Sequence, residues 1–178
     1  MMPARTSPRV RVEEGAIAFT DLAGFTEYTA VQGDEAAVRL LSLQERLVRN
    51  EIRDRGRIVK ELGDGLMLWF GDACDAVVSA LTLQERFEQY QLEEDLPLWV
   101  RIGIHFGRPV RRGRDFVGHD VNVAARIVDL AAPGEVLCSA ACTERITDPP
   151  PGIVFEELGP VMMRGIPDPM PLYRVHRG

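Results

Sequence analysis

Asp21 and Asp64 each stand where a short apolar run stops. Ala16-Ile17-Ala18-Phe19-Thr20 leads into Asp21, and Ile58-Val59-Lys60-Glu61-Leu62-Gly63 leads into Asp64. A carboxylate at the end of a buried strand, beside glycine, can hold a hard cation, and two on neighbouring strands can hold two magnesium-sized ions. A lone aspartate at such a place serves equally as a turn residue or a helix N-cap, so the surroundings must decide. Asn122 and Arg126 are four apart in a helical segment and share one face. A guanidinium there offers a planar fork of donors suited to phosphate. Gly24-Phe25-Thr26 follows Asp21 and opens a helix, so its amides can meet phosphate oxygens.

The elements that must position these groups follow from periodicity. Residues 16–20 read as a strand and 22–33 as a glycine-containing loop with a short helix. From Asp34 to about Arg55 the pattern is helical, with Val38, Leu41, Val48 and Ile52 in one apolar stripe and Leu40 and Leu47 beside it. Glu35/Arg39, Glu45/Arg49 and Glu51/Arg55 are spaced for ion pairs on its wet face. Runs 57–62 and 66–70 flank Gly63-Asp64-Gly65, a hairpin signal. A second helix spans about 73–90, with Ala76, Val77, Ala80, Leu81, Leu83 and Phe87 inward. Leu98 to Phe106 reads as a strand in which Val100, Ile102 and Ile104 alternate against Arg101, Gly103 and His105. Residues 107–118 read as a loop or arm, 119–131 as a helix, 135–138 as a short strand and 139–147 as a short helix. Two late strands lie near 153–158 and 171–176. The fold class is therefore α+β: a ferredoxin-like or palm-like βαββαβ core, its antiparallel-rich sheet flanked by helices, with a C-terminal strand and helix extension. In that order the first strand and the hairpin are central, so Asp21 and Asp64 can face each other at one edge of the sheet.

Whole-chain properties narrow the function classes. A length of 178 residues suits one domain with a sizeable core. The net charge of -6 argues against nucleic acid as a partner. No apolar stretch reaches the length of a membrane span. Residues 1–13 read as a flexible lead and 14–178 as the domain, with a cytoplasmic location expected. Cys74, Cys138 and Cys142 form neither a disulfide framework nor a zinc pattern, and read as reduced, packed thiols. His105, His119 and His176 have no metal-ligand spacing.

Four segments, FTDLAGFT (19–26), VKELGDGLMLWF (59–70), VRIGIHFG (100–107) and DFVGHDVNVAAR (115–126), resemble in order and separation the signature blocks of the class III nucleotidyl cyclases. LGPVMMRGIPDPMPLYRV (158–175) resembles the closing strands of the same domain. The resemblance implies conversion of a nucleoside triphosphate to its 3′,5′-cyclic monophosphate and pyrophosphate, at sites between two head-to-tail subunits. It implies that Asp21, Asp64 and the carbonyl of Leu22 hold two ions, Mg2+ or Mn2+. It assigns Asn122 to the ribose, Arg126 to the α-phosphate, and Gly24, Phe25, Thr26 and Arg101 to the triphosphate. Arg164 stands where many members carry lysine, which keeps the charge and changes its geometry.

Lys60, four residues before Asp64, and Asp115, seven before Asn122, match the family's adenine-selecting pair. Adenine presents an acceptor at N1 and a donor at N6; lysine donates and aspartate accepts. ATP is thus the expected substrate, with GTP or a nucleotide-binding, dimerising module without useful turnover as alternatives. Two identical chains would form an isologous dimer with equivalent sites. Arg108, Arg111, Arg112 and Arg114 form a basic arm that is either a solvated loop or an aid to polyphosphate or partner contact. A regulatory domain or protein outside this sequence is a further expected partner.

Overall fold

A computed structural model describes residues 10–178. The elements in chain order are β1 (Arg11–Val12), β2 (Gly15–Leu22), α1 (Phe25–Gln32), α2 (Asp34–Ile52), β3 (Gly56–Leu62), β4 (Gly65–Phe70), α3 (Ala73–Glu94), β5 (Val100–Gly107), β6 (Val110–Arg112), β7 (Asp115–Val117), α4 (His119–Leu130), β8 (Val136–Ser139), α5 (Ala140–Thr143), β9 (Ile153–Val161) and β10 (Met170–Arg177). Of the expected lead, residues 1–9 lie outside the described residues, and Arg11 and Val12 pair with Arg111 and Val110.

Seven strands form the main sheet in the order β3-β4-β2-β5-β8-β10-β9. Its pairings are antiparallel except for β5 with β8. The first four strands keep the split βαβ arrangement expected from the pattern. One detail differs: β2 is central, but the hairpin runs outward and leaves β3 at the sheet edge.

Both faces of the central strands are covered, which is why their runs are continuously apolar. On one face Ala16, Ala18, Leu22, Leu66, Leu68, Phe70, Ile102 and Ile104 pack with residues of α2 and α3. On the other, Ile17, Phe19 and Met67 meet Phe116, Ala124 and Val128, contributed by β7 and α4. This overturns the simple alternation expected for β5, where Gly103 and His105 are buried as well. Gly103 is required by the approach of α4: a Cβ there would lie 2.3 Å from the backbone nitrogen of Val128. We expect Gly103→Ala to cost about 1–3 kcal/mol, the usual effect of overpacking, read as a lowered midpoint in thermal unfolding.

The apolar stripe of α2 is also rotated from the expected one. Ala36, Ala37, Leu40, Gln44, Leu47, Val48 and Ile52 are buried, whereas Val38 is 60% exposed. The inward line passes through a glutamine, so counting apolar residues alone shifted its phase. The three ion pairs form as spaced, Glu35–Arg39 at 3.9 Å and Glu45–Arg49 at 2.5 Å within α2, and Glu51–Arg55 at 3.2 Å from its last turn to the turn that follows. All six inward residues expected of α3 are buried. Segment 107–118 is not a loose arm: β6 and β7 form a hairpin that joins β1 in a second, three-stranded sheet.

Candidate active site

The β2–β4–β5 register places the carboxylates. Asp21 is the penultimate residue of β2, opposite Gly65 on one side and Arg101 on the other. Asp64 occupies the turn that joins β3 to β4, after Gly63 at φ 60°. A Cβ on Gly65 would lie 2.1 Å from the Thr20 carbonyl oxygen, so this close approach of strands requires glycine. Burial, and then the neighbouring Asp21 carboxylate, push the Asp64 carboxyl up to about 6, against the pull of Arg101. The Arg101 guanidinium lies 2.5 Å from Asp21 Oδ2, with both side chains 30% exposed. Leu22, the last residue of β2, has a buried side chain.

A buried polar bridge beneath the pair escaped the sequence reading. Thr20 Oγ1 accepts hydrogen bonds from Gln44 Nε2 and from the Leu66 amide, both at 3.1 Å. It ties α2, β2 and β4 together one residue from Asp21 and two from Asp64. The signal available was a lone glutamine among apolar positions of α2, where an unsatisfied amide would be costly.

Lys60 and Asp115, fifty-five residues apart in sequence, meet at 2.9 Å between Nζ and Oδ2. Asp115 Oδ1 also accepts from the Phe116 amide at 2.7 Å. Burial alone would raise the Asp115 carboxyl, but the Lys60 and Phe116 hydrogen bonds win and hold it below the usual range. Phe116 anchors this pair from below. Its ring stacks on Trp69 at a centroid distance of 4.3 Å, and the Arg57 guanidinium lies 5.3 Å from its centroid. Lys60 pairs with Met67 across the hairpin, which puts it on the α4 side of the sheet. Asp21, in phase with Ile17 and Phe19, faces the same side.

On α4, Val123, Ala124, Ile127 and Val128 are buried and leave Asn122 and Arg126 exposed together on the outer face. Arg126 Nη1 contacts Asp129 Oδ2 at 3.3 Å. Gly24 at φ 73° precedes α1, and as the N-cap it offers the amides of Phe25 and Thr26 at the helix start no side-chain acceptor. Arg164 is exposed on the β9–β10 connection between the buried Met163 and Ile166. Within the basic arm, Arg111 pairs with Glu13 at 2.8 Å.

His105 is more than a strand residue. Its Nδ1 lies 2.7 Å from Ser139 Oγ and its Nε2 3.2 Å from Asp120 Oδ1, and Asp120 Oδ2 accepts from the Arg108 amide at 2.7 Å. The bridge ties the first turn of α4 to β5 and β8. Burial lowers the His105 pKa, outweighing Asp120. A depressed folded-state value means that below about 6.5 the unfolded chain takes up a proton that the folded chain resists. The contribution of neutral His105 is thus present above that pH and lost as acid is added. The Asp64 contribution is common to both chains, so between pH 7.5 and 5.5 we expect the thermal midpoint of the unaltered chain to fall relative to that of His105→Gln.

Comparison with known proteins places this geometry. The family model for the adenylate and guanylate cyclase catalytic domain matches residues 8–177. A pH-sensitive adenylate cyclase of Mycobacterium tuberculosis is 31% identical over 177 residues, covering 98% of this chain and 44% of that protein. An adenylate cyclase of Streptomyces coelicolor is 34% identical over 132 residues, covering 74% of this chain and 34% of that protein. The chain thus spans less than half the length of these relatives. Among solved structures, the adenylyl cyclase CyaB from P. aeruginosa superposes with a TM-score of 0.86 at 23% identity, covering 96% of this chain and 97% of that one. An adenylate/guanylate cyclase/hydrolase from Silicibacter pomeroyi superposes with a TM-score of 0.80 at 29% identity, covering 96% of this chain and all of that one. The match over nearly the whole chain, in sequence and in fold, shows that the protein belongs to the family of adenylate and guanylate cyclase catalytic domains.

Proposed function

We propose that the chain is an adenylate cyclase catalytic domain, cyclising ATP to 3′,5′-cyclic AMP with release of pyrophosphate. The observation that carries the choice of ATP is the 2.9 Å Lys60–Asp115 pair. It sets a donor beside an acceptor, complementary to N1 and N6 of adenine and of the wrong polarity for guanine. The relatives from M. tuberculosis and S. coelicolor carry the name adenylate cyclase, which supports the same reading.

Among the described residues no three His, Cys, Asp or Glu side chains cluster to hold a metal. The two adjoining carboxylates nonetheless fit a pair of hard cations, to which the Leu22 carbonyl would add a backbone oxygen. Asp21 and Asp64 would hold Mg2+ or Mn2+. When bound, the ions supply charge neutralisation on the triphosphate and acidify the ribose 3′-hydroxyl. The residues of the chain do the rest. Asn122 orients the ribose so that its 3′-oxygen lies in line with the α-phosphorus and the leaving pyrophosphate. Arg126 donates to the α-phosphate oxygens, where charge accumulates. The amides of Gly24, Phe25 and Thr26, with Arg101 and Arg164, bind the outer phosphates. In this reading Asp21, Asp64 and Arg101 serve from one subunit of a homodimer, and Lys60, Asp115, Asn122, Arg126 and Arg164 from the other.

The test is the production of cyclic AMP by the purified chain from Mn-ATP, with Mn-GTP in parallel. ATP turnover well above GTP turnover is expected, and Lys60→Glu should reduce the ratio at least about tenfold. No product above that of a chain lacking both aspartates would overturn the reading.

A further inference from the structure

The pairing of Arg101 with Asp21 has a consequence for how a cation reaches the site. The contact is built into the sheet: Asp21 and Arg101 are directly opposite on β2 and β5, on the side that α4 covers. It is therefore fixed by register and does not depend on a long side chain wandering over a surface. Arg101 is also the positive group whose field reaches Asp64. One guanidinium thus faces two carboxylates, pairing with Asp21 while its pull on Asp64 is outweighed by burial and by Asp21 itself. Among the described residues the buried Nε of Arg101 has no hydrogen-bond partner. A buried guanidinium N–H with no acceptor is costly, so the resting contact satisfies Arg101 incompletely, while the 30% of the side chain that stays exposed is open to another anion.

We propose that Arg101 is a placeholder cation that Asp21 exchanges for metal when the metal–nucleotide complex arrives. With no nucleotide present, Arg101 occupies the Asp21 carboxylate and keeps free divalent cation out. The triphosphate brings its own four negative charges, offers Arg101 a better-matched set of oxygens, and so frees Asp21 for the ion. Arg101 is then a positioning residue that couples two ligands: it opposes metal alone and favours metal with nucleotide. This inference rests on the proposed function above, because it takes Asp21 and Asp64 as the cation site.

The two ligands give opposite signs, which a merely structural arginine would not. Binding of Mn2+ to the whole chain without nucleotide is read by electron paramagnetic resonance of the free ion. Arg101→Gln should tighten it about fivefold, the loss of one partly exposed competing charge. The affinity for Mn2+ with 3′-deoxy-ATP, which cannot cyclise, should fall about tenfold in the same variant. Arg101→Lys retains the point charge and should leave nucleotide-free Mn2+ affinity near that of the unaltered chain. Unchanged or weaker nucleotide-free binding in a folded Arg101→Gln overturns the placeholder. Should Arg101→Gln unfold, equal affinities in Arg101→Lys and Arg101→Met overturn it. The proposed function fails separately, when the unaltered chain binds Mn2+ no better than Asp21→Asn/Asp64→Asn even with 3′-deoxy-ATP.

Discussion

Asp21→Asn and Asp64→Asn should each reduce cyclic AMP formation about a thousand-fold, the scale on which removing a group that holds the charged transition state is felt. The loss should appear in kcat at saturating Mn-ATP, because the base contacts of Lys60 and Asp115 are untouched. The fold should survive both changes. Asp64 titrates near 6 because it is partly buried beside a second carboxylate, and that value belongs to the interacting pair. A carboxyl whose folded-state value is raised binds more protons in the fold than in the unfolded chain between about pH 4 and 6. Its contribution is therefore intact in acid and is lost as pH rises through 6. At pH 8 the neutral Asp64→Asn chain should be at least as stable as the unaltered one, and after allowance for solvent screening more stable by about 1 kcal/mol. An inactive variant with a raised melting point identifies a carboxylate kept for chemistry at a cost in stability. Lost activity together with a lowered midpoint would instead mark Asp64 as a structural turn residue.

Mixing two inactive chains should restore activity. Asp64→Ala leaves Lys60, Asp115, Asn122 and Arg126 intact, and Arg126→Ala leaves the carboxylates intact. If each site draws these groups from opposite subunits, a mixed dimer carries one complete site and one doubly damaged site. Random exchange at equal amounts makes about half the dimers mixed, each with one of two sites, so about a quarter of the normal rate should return. Each variant alone should stay near background. Specific activity of the unaltered chain should also fall on dilution as dimers dissociate. No recovery under conditions where subunits exchange would assign the whole site to one chain.

Much of the fold was legible because local rules carried it. The βαββαβ order follows from two periods, near 3.6 from 34 to about 55 and over about 73–90 and strand-like runs elsewhere, with Gly63-Asp64-Gly65 marking the hairpin. The helices themselves span Asp34–Ile52 and Ala73–Glu94. The misplaced details share one cause. The stripe of α2 was rotated because its inward line contains Gln44, and the partner that makes a buried glutamine tolerable, Thr20, is twenty-four residues away. The 107–118 hairpin was missed because Arg108 to Arg114 looks like solvated loop, while its pairing is secured by β1 and by Phe116 on Trp69. β5 lost its alternation because α4 covers its second face, and nothing in residues 100–107 announces that cover except Gly103. Side-chain pattern reports which groups avoid water; it does not report which distant group satisfies a buried polar one.

By itself the chain of amino acids determined the types of chemical group present and their local setting: carboxylates at strand ends, an Asn–Arg pair on one helical face, a glycine-led helix start, a lysine and an aspartate of complementary polarity. Backbone geometry makes such placements local, since residues a few positions apart have fixed relative directions in a strand or helix. Tertiary structure alone decided what these groups touch. The sheet register set Arg101 against Asp21, the packing of β7 on β3 brought Lys60 to Asp115, and burial beside Asp21 moved the Asp64 carboxyl to about 6. Each is an electrostatic contact across tens of residues, and electrostatic energy depends on separation and burial in space, which only the folded chain supplies.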